Sequence, residues 1–168
     1  MKILDNDALF ESVEKTAGAA ARKLKVNKQH ISDRPEIRRV PQQVHEDLPN
    51  HTVFRRFAKT ARIGRTFVSR YQAGMAYGTH FYDAFNARVP TDISFTLFLS
   101  VPEAYFRAEL EMMSAMGSQA IKLPTGCAVV YPSNQLHAVR PVEQGVRLSI
   151  VGWLESRIRS AEQRGQPV

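Results

Sequence analysis

Apolar positions change their spacing near residue 65, and the change divides the chain into two kinds of predicted element. Between residues 7 and 24, Ala8, Leu9, Val13, Ala17, Ala20, Ala21 and Leu24 recur at three- and four-residue spacing, as on an amphipathic helix. Residues 40–61 are less regular: Pro35, Pro41 and Pro49 act as breakers, and a helix is predicted over 50–60. After Arg65, apolar or alternating runs at 66–71, 93–99, 120–123, 128–131 and 146–153 are short and separated by turn residues, as in an antiparallel sandwich or barrel. A last amphipathic helix is predicted over 154–163. Helices followed by many short strands describe a mainly β chain, a jelly roll buttressed on one side by N-terminal helices. Residues 1–168 read as a single domain, with 1–64 a helical N-terminal support, 65–154 the jelly-roll core and 155–168 a C-terminal helix or tail.

Composition narrows the class. A chain of 168 residues, 43% hydrophobic and 23% charged, supports one globular core. It has no apolar run of about 18 residues or more, and Asp5 and Asp7 stand where a signal peptide needs apolar residues, so a cytoplasmic protein with no membrane contact is expected. The single cysteine, Cys127, excludes an internal disulfide and a cysteine-rich zinc site; its apolar neighbours Ala128, Val129 and Val130 predict a buried thiol. The net charge of +7 gathers in Arg55, Arg56, Lys59, Arg62, Arg65 and Arg70, with Arg34, Arg38 and Arg39 just before. Such a run reads as a solvated face: no zinc finger, RNA-recognition motif or helix-turn-helix accompanies it, so nucleic acid is not an expected partner. There is no glycine-rich phosphate loop, Gly-x-Ser-x-Gly elbow or His-Glu-x-x-His helix.

The candidate chemistry lies at strand ends. His137 closes the stretch 126–137, and a strand carrying Arg147 among apolar residues follows. An ionised guanidinium cannot sit in an apolar core without an anionic partner, and alternation puts Val146 and Leu148 on one face and Arg147 with Ser149 on the other. Upstream, the stretch 71–80 ends in His80, with Asp83 close behind. Two histidines and a carboxylate on strand ends are what a non-heme Fe(II) site needs, because three ligands on one face leave positions open. The plainer readings are a surface or satisfied core histidine and an Arg147 that faces solvent.

Several ordered blocks carry a more specific signal: 71–80, 91–100, Lys122-Leu123-Pro124-Thr125-Gly126, Tyr131-Pro132-Ser133 and Leu136-His137. Together with 19–29 they resemble the bacterial PKHD-type hydroxylases over roughly residues 16 to 158. Those enzymes are Fe(II)- and 2-oxoglutarate-dependent dioxygenases built on a double-stranded β-helix, a cupin-like jelly roll. The resemblance implies His80 and His137 as iron ligands and Arg147 as partner of the distal 2-oxoglutarate carboxylate. It also implies that Tyr71 hydrogen-bonds the co-substrate and that Trp153 lines the co-substrate end with Arg147. The implied cofactors are Fe(II) and 2-oxoglutarate, with ascorbate as reductant, and the implied reaction is hydroxylation of a small-molecule or peptide substrate. Phe81, Phe85, Phe95 and Phe98 would supply apolar lining.

The chain departs from the family pattern at three places. The family's His-x-Asp is here His80-Phe81-Tyr82-Asp83, which puts Tyr82 at the ligand position and Asp83 where the family has Asn. Three outcomes follow: a bulge turns Asp83 inward, the iron keeps two histidines with water or a Tyr82 phenolate, or iron is lost. Where the family has an acidic residue and paired glycines before Glu-Leu, this chain has Phe106-Arg107-Ala108-Glu109-Leu110, and Cys127 replaces an Asp. The competing reading is a non-enzymatic barrel that keeps a 2-oxoglutarate pocket. An exposed edge strand would offer a homodimer contact.

Overall fold

A computed structural model describes residues 2–13, 24–30, 35–82, 85–86, 89–158, 160 and 163. Its strands, in chain order, are β1 (Phe10–Ser12), β2 (Lys25–Val26), β3 (Lys28–His30), β4 (Thr60–Gln72), β5 (Ala76–His80), β6 (Phe85–Asn86) and β7 (Val89–Pro90). They continue with β8 (Ile93–Phe98), β9 (Tyr105–Arg107), β10 (Leu110–Ser114), β11 (Gly117–Ile121), β12 (Ala128–Pro132), β13 (His137–Val139) and β14 (Val142–Ser156). Helices α1 (Pro35–Asp47) and α2 (Thr52–Ala58) precede β4. Two antiparallel sheets face each other as the jelly roll requires. One runs β1-β3-β4-β14-β8-β12, with β9 also on β14, and the other runs β11-β10-β13-β5-β2.

The frame is the pair β4–β14, strands of 13 and 15 residues paired from Val146↔Gln72 to Ser156↔Thr60, in one register as far as Gly152↔Thr66 and shifted beyond it. Their length follows from burial on both faces. On the outer face Leu148, Ile150, Leu154 and Val68 pack with Ile37, Val44, Phe54 and Leu4 of the N-terminal part, a core sealed by the edge-on pair Phe54–Phe95 at 6.3 Å. On the inner face the core between the sheets is built largely of phenols, Tyr71, Tyr77, Tyr105 and Tyr131, with Phe98, Leu110 and Val139. Arg147 and Ser149 take that inner side, as the alternation predicts. Gly152 leaves room for its cross-strand neighbours within the sheet, since a Cβ there would meet Phe95 and Thr66 side-chain carbons at 2.5 Å.

Four sequence expectations need correction. The helix over 7–24 is not formed at its start: Asp7–Leu9 is a 3₁₀ turn capped by Asn6, and β1 follows because Phe10 pairs with His30. Residues 14–23 lie outside the described residues, but β1–β3 already show that 1–64 is not wholly helical. Pro41 does not break α1, because buried Ile37 and Val44 hold the helix to the sheet across the lost hydrogen bond. The C-terminal helix does not begin at 154: β14 continues to Ser156, anchored by Leu154 in the core and by the Ser156 hydroxyl donating to the Ala58 carbonyl. Cys127 is exposed, not buried. It follows Gly126 in the turn before edge strand β12, where its backbone is tied to Pro124 and Phe98 and its apolar neighbours are only partly covered.

The segment that replaces the family's glycines keeps a glycine-like backbone. Arg107 and Ala108 have φ of 63° and 59°, the left-handed region in which a Cβ costs roughly 1–2 kcal/mol. Arg107→Gly is therefore expected to stabilise the protein by about 1 kcal/mol, less the small contribution of the exposed Arg107–Glu143 pair. Thermal unfolding should read a rise of about 2–4 °C.

Candidate active site

His80 ends β5 and His137 opens β13, and the pairing of these strands sets the two opposite each other with ring centroids 4.1 Å apart. Each Nδ1 lies 2.8 Å from a backbone carbonyl two residues earlier, Gly78 for His80 and Gln135 for His137. A carbonyl only accepts, so Nδ1 carries the proton and Nε2 keeps its lone pair. Both Nε2 atoms are buried without a hydrogen bond. Burial, and then the neighbouring His137, push His80 down to about 3, and burial lowers His137 as well. Two neutral imidazoles with oriented, unprotonated Nε2 atoms fit a divalent metal, whose histidine ligands commonly donate their other ring N–H to a carbonyl.

Tyr82 comes into the same space. Its backbone N–H donates to the Ser133 carbonyl at 3.0 Å, and its ring lies 4.8 Å from His137, 5.2 Å from His80 and 4.9 Å from Trp153. Its phenol, pushed well above its ordinary range by burial, hydrogen-bonds Tyr131. Asp83 lies outside the described residues. Among the described residues no group of three His, Cys, Asp or Glu side chains gathers here, so the carboxylate ligand of the expected triad is not among them.

Arg147 is 1% exposed. Its Nη1 donates to Ser149 Oγ at 2.9 Å, its guanidinium lies 5.4 Å from the ring centres of both Tyr71 and Phe98, and Nε and Nη2 make no hydrogen bond. No carboxylate pairs with it among the described residues. A reading in which Arg147 faces solvent is thereby excluded. Tyr71 stands opposite Arg147 in register, its phenol held above the ordinary range by burial, partly offset by the guanidinium. Trp153 packs on Phe67 and Tyr82, with its Nε1 unbonded. Of the expected apolar lining, Phe98 alone among the described side chains reaches the site, against the Arg147 guanidinium. Phe81 is 62% exposed, Phe95 faces the helices, and the Phe85 side chain is outside the described residues.

These side chains close tightly. The space among His80, His137, Tyr82, Tyr71, Tyr131 and Arg147 amounts to about 10 Å³, room for about one water molecule. Lys25 and Tyr77 also line it, and neither they nor Tyr131 were assigned a site role from the sequence. Lys25 stands between Leu24 and Val26, but Arg22, Lys23 and Lys28 crowd it in the sequence and its strand is too short to show a period. A larger depression of about 740 Å³, bordered by His45, Arg55, Lys59, Arg62 and Arg157, is basic and holds none of the candidate ligands.

The description "2OG-Fe(II) oxygenase superfamily" belongs to the family model that matches residues 66–155, the span that carries both histidines and Arg147. A PKHD-type hydroxylase of Synechococcus sp. (strain JA-2-3B'a(2-13)) is 40% identical over 162 residues, covering 94% of this chain and 72% of its own. One of Parvibaculum lavamentivorans is 43% identical over 155 residues, covering 92% and 70%. Among solved structures, a Pseudomonas putida prolyl-4-hydroxylase shares the fold with a TM-score of 0.63 at 19% identity, covering 94% of this chain and 83% of that one. A viral collagen prolyl hydroxylase from Paramecium Bursaria Chlorella virus-1 does so with a TM-score of 0.56 at 17% identity, covering 92% and 88%. The chain belongs to the 2OG-Fe(II) oxygenase superfamily, the class of 2-oxoglutarate-dependent dioxygenases, and its relatives there are PKHD-type hydroxylases. Among the described residues no helix is long and apolar enough to cross a membrane.

The buried, neutral histidines make the metal-free protein acid-sensitive. Their folded-state values lie below the unfolded value of about 6.5, so the unfolded chain binds protons first and stability falls as pH drops through 6.5 toward 3. Denaturant unfolding between pH 7.5 and 5 should show this loss, and His80→Gln should flatten it.

Proposed function

We propose that this chain is an Fe(II)- and 2-oxoglutarate-dependent dioxygenase that hydroxylates an unactivated C–H bond of a small-molecule or peptide substrate. One observation carries the reading: the buried Arg147 guanidinium has no carboxylate partner among the described residues, in the same cavity as two histidines with unbonded Nε2 atoms. His80 and His137 would hold the iron, with Asp83 or the Tyr82 phenol as third protein donor. Arg147 would take the distal carboxylate of 2-oxoglutarate, which its planar fork suits better than an ammonium would. When bound, the iron would let dioxygen act as the oxidant, one oxygen atom entering the substrate C–H bond and the other entering succinate as the oxo-acid loses carbon dioxide.

The residues of the chain do the rest. The Gly78 and Gln135 carbonyls fix the imidazole orientation, and the phenol-rich inner core keeps bulk water from the reacting centre. Tyr71 and Phe98 flank the guanidinium and restrict it to one direction of approach. Room for the co-substrate requires Tyr82 to move, since its ring packs on both histidines. That packing also favours a second reading, a barrel that keeps the carboxylate site and lacks competent iron.

Anaerobic titration of the apo-protein with Fe(II) and 2-oxoglutarate distinguishes the two. The dioxygenase reading expects the weak visible charge-transfer band of the chelate. Loss of the band in Asp83→Ala makes Asp83 the third ligand, loss in Tyr82→Phe makes it Tyr82, and survival in both leaves a two-histidine set. No band in the wild type, with 2-oxoglutarate still raising the melting temperature, establishes the second reading; no band and no stabilisation excludes both.

A further inference from the structure

Arg147 is not the only cation in the closed space. Lys25 of β2 lines it too, 9% exposed, with its ammonium 4.9 Å from the ring centre of Tyr77 and 5.2 Å from that of Phe67. Strand pairing explains its direction. Lys25 stands opposite Tyr77 in the β2–β5 ladder, while its neighbour Val26 is exposed on the other face. The Leu24 carbonyl accepts from Gly78 N–H at 2.8 Å and fixes β2 against β5. Lys25 therefore reaches the site from the sheet that carries both histidines, and Arg147 reaches it from the facing sheet. The Tyr77 ring beneath the ammonium stacks on His80 at 3.4 Å.

No carboxylate pairs with Lys25 among the described residues. The side chains that line the space with it include His80, His137 and the phenols Tyr71, Tyr77, Tyr82 and Tyr131, and no carboxylate is among them. Desolvation, and then the nearby Arg65, bring Lys25 down to about 8, which leaves it charged at neutral pH. Two cations over aromatic faces with no facing anion are a costly arrangement unless anions come from outside. A divalent iron and a dianionic co-substrate cancel in charge, so Arg147 and Lys25 would still favour a further negative group.

We propose that Lys25 is a second carboxylate-binding residue of the site, placed beside His80 and across from Arg147. The inference rests on the reading of the site as a 2-oxoglutarate oxygenase and deepens it: the carboxylate belongs to the substrate, or to the oxo-acid end of 2-oxoglutarate. In either case the ammonium serves as a point charge for a group next to the iron, a task distinct from the bidentate clamp of Arg147.

Calorimetric titration separates the sources. Wild type, Lys25→Met and Lys25→Arg, each in the Mn(II)-loaded form without turnover and checked for an unchanged melting profile, are titrated with 2-oxoglutarate. With 2-oxoglutarate saturating, each is then titrated with N-acetylglycine and with N-acetylglycinamide, which differs only in lacking the carboxylate. The expected result is N-acetylglycine binding that weakens at least tenfold in Lys25→Met and recovers to within threefold in Lys25→Arg, with no binding of the amide. A tenfold loss confined to 2-oxoglutarate also supports the proposal and assigns the carboxylate to the oxo-acid end. Binding of both carboxylates to Lys25→Met as tightly as to wild type overturns it while leaving the oxygenase reading intact. Failure of 2-oxoglutarate to bind the wild type overturns the oxygenase reading itself.

Discussion

A guanidinium buried with no partner charge among the described residues is the constraint around which this fold is organised. Removing an ion from water costs several kcal/mol even after relaxation, and a single hydrogen bond to Ser149 with two aromatic faces does not return that cost. A protein that only needed a stable barrel would place an apolar residue at position 147. The charge makes sense as one half of an ion pair whose other half arrives with the co-substrate, and the same logic applies at lower cost to Lys25 on the facing sheet.

Sheet register delivers these groups to one place. β4 and β14 are long because both of their faces are covered, and their pairing fixes Tyr71 against Arg147. On the opposite sheet, the β5–β13 pairing brings His80 and His137 together, and β2 adds Lys25 above Tyr77. Outer and inner faces carry different chemistry. The helices bury hydrocarbon, and the space between the sheets is lined with tyrosines whose hydroxyls stay protonated. Such a lining suits a site that must be dry yet polar, since phenols pack as hydrocarbons and still form hydrogen bonds such as the Tyr82–Tyr131 and Thr96–Tyr131 contacts.

Much of this was legible in the sequence because it rested on strong local signals. Short alternating runs gave β8 and β12 to within a residue and the inner parts of β4 and β14, but not β5, β10 or β13, and the lone Arg147 between Val146 and Leu148 could be placed inward by alternation alone. Lys25 was hidden because Arg22, Lys23 and Lys28 surround it in the sequence and it lies on a two-residue strand, where no period can be counted. The errors have tertiary causes: Pro41 stays within a helix that Ile37 and Val44 hold to the core, the helix expected at 154 yields to a strand that keeps pairing with β4, and Cys127 is exposed because edge strand β12 leaves its apolar neighbours half covered. The His80-Phe81-Tyr82 departure could be seen, but where the Tyr82 ring would lie depended on the Ser133 carbonyl, fifty residues further along the chain.

The most direct test of the central claim is the melting temperature of apo wild type and Arg147→Met, each with and without saturating 2-oxoglutarate. If the guanidinium awaits a ligand carboxylate, apo Arg147→Met melts no lower than apo wild type, because a buried unpaired charge has been removed, and 2-oxoglutarate stabilises only the wild type. An apo variant that melts far lower, yet is raised by 2-oxoglutarate as much as the wild type, would make Arg147 a structural residue and contradict the account.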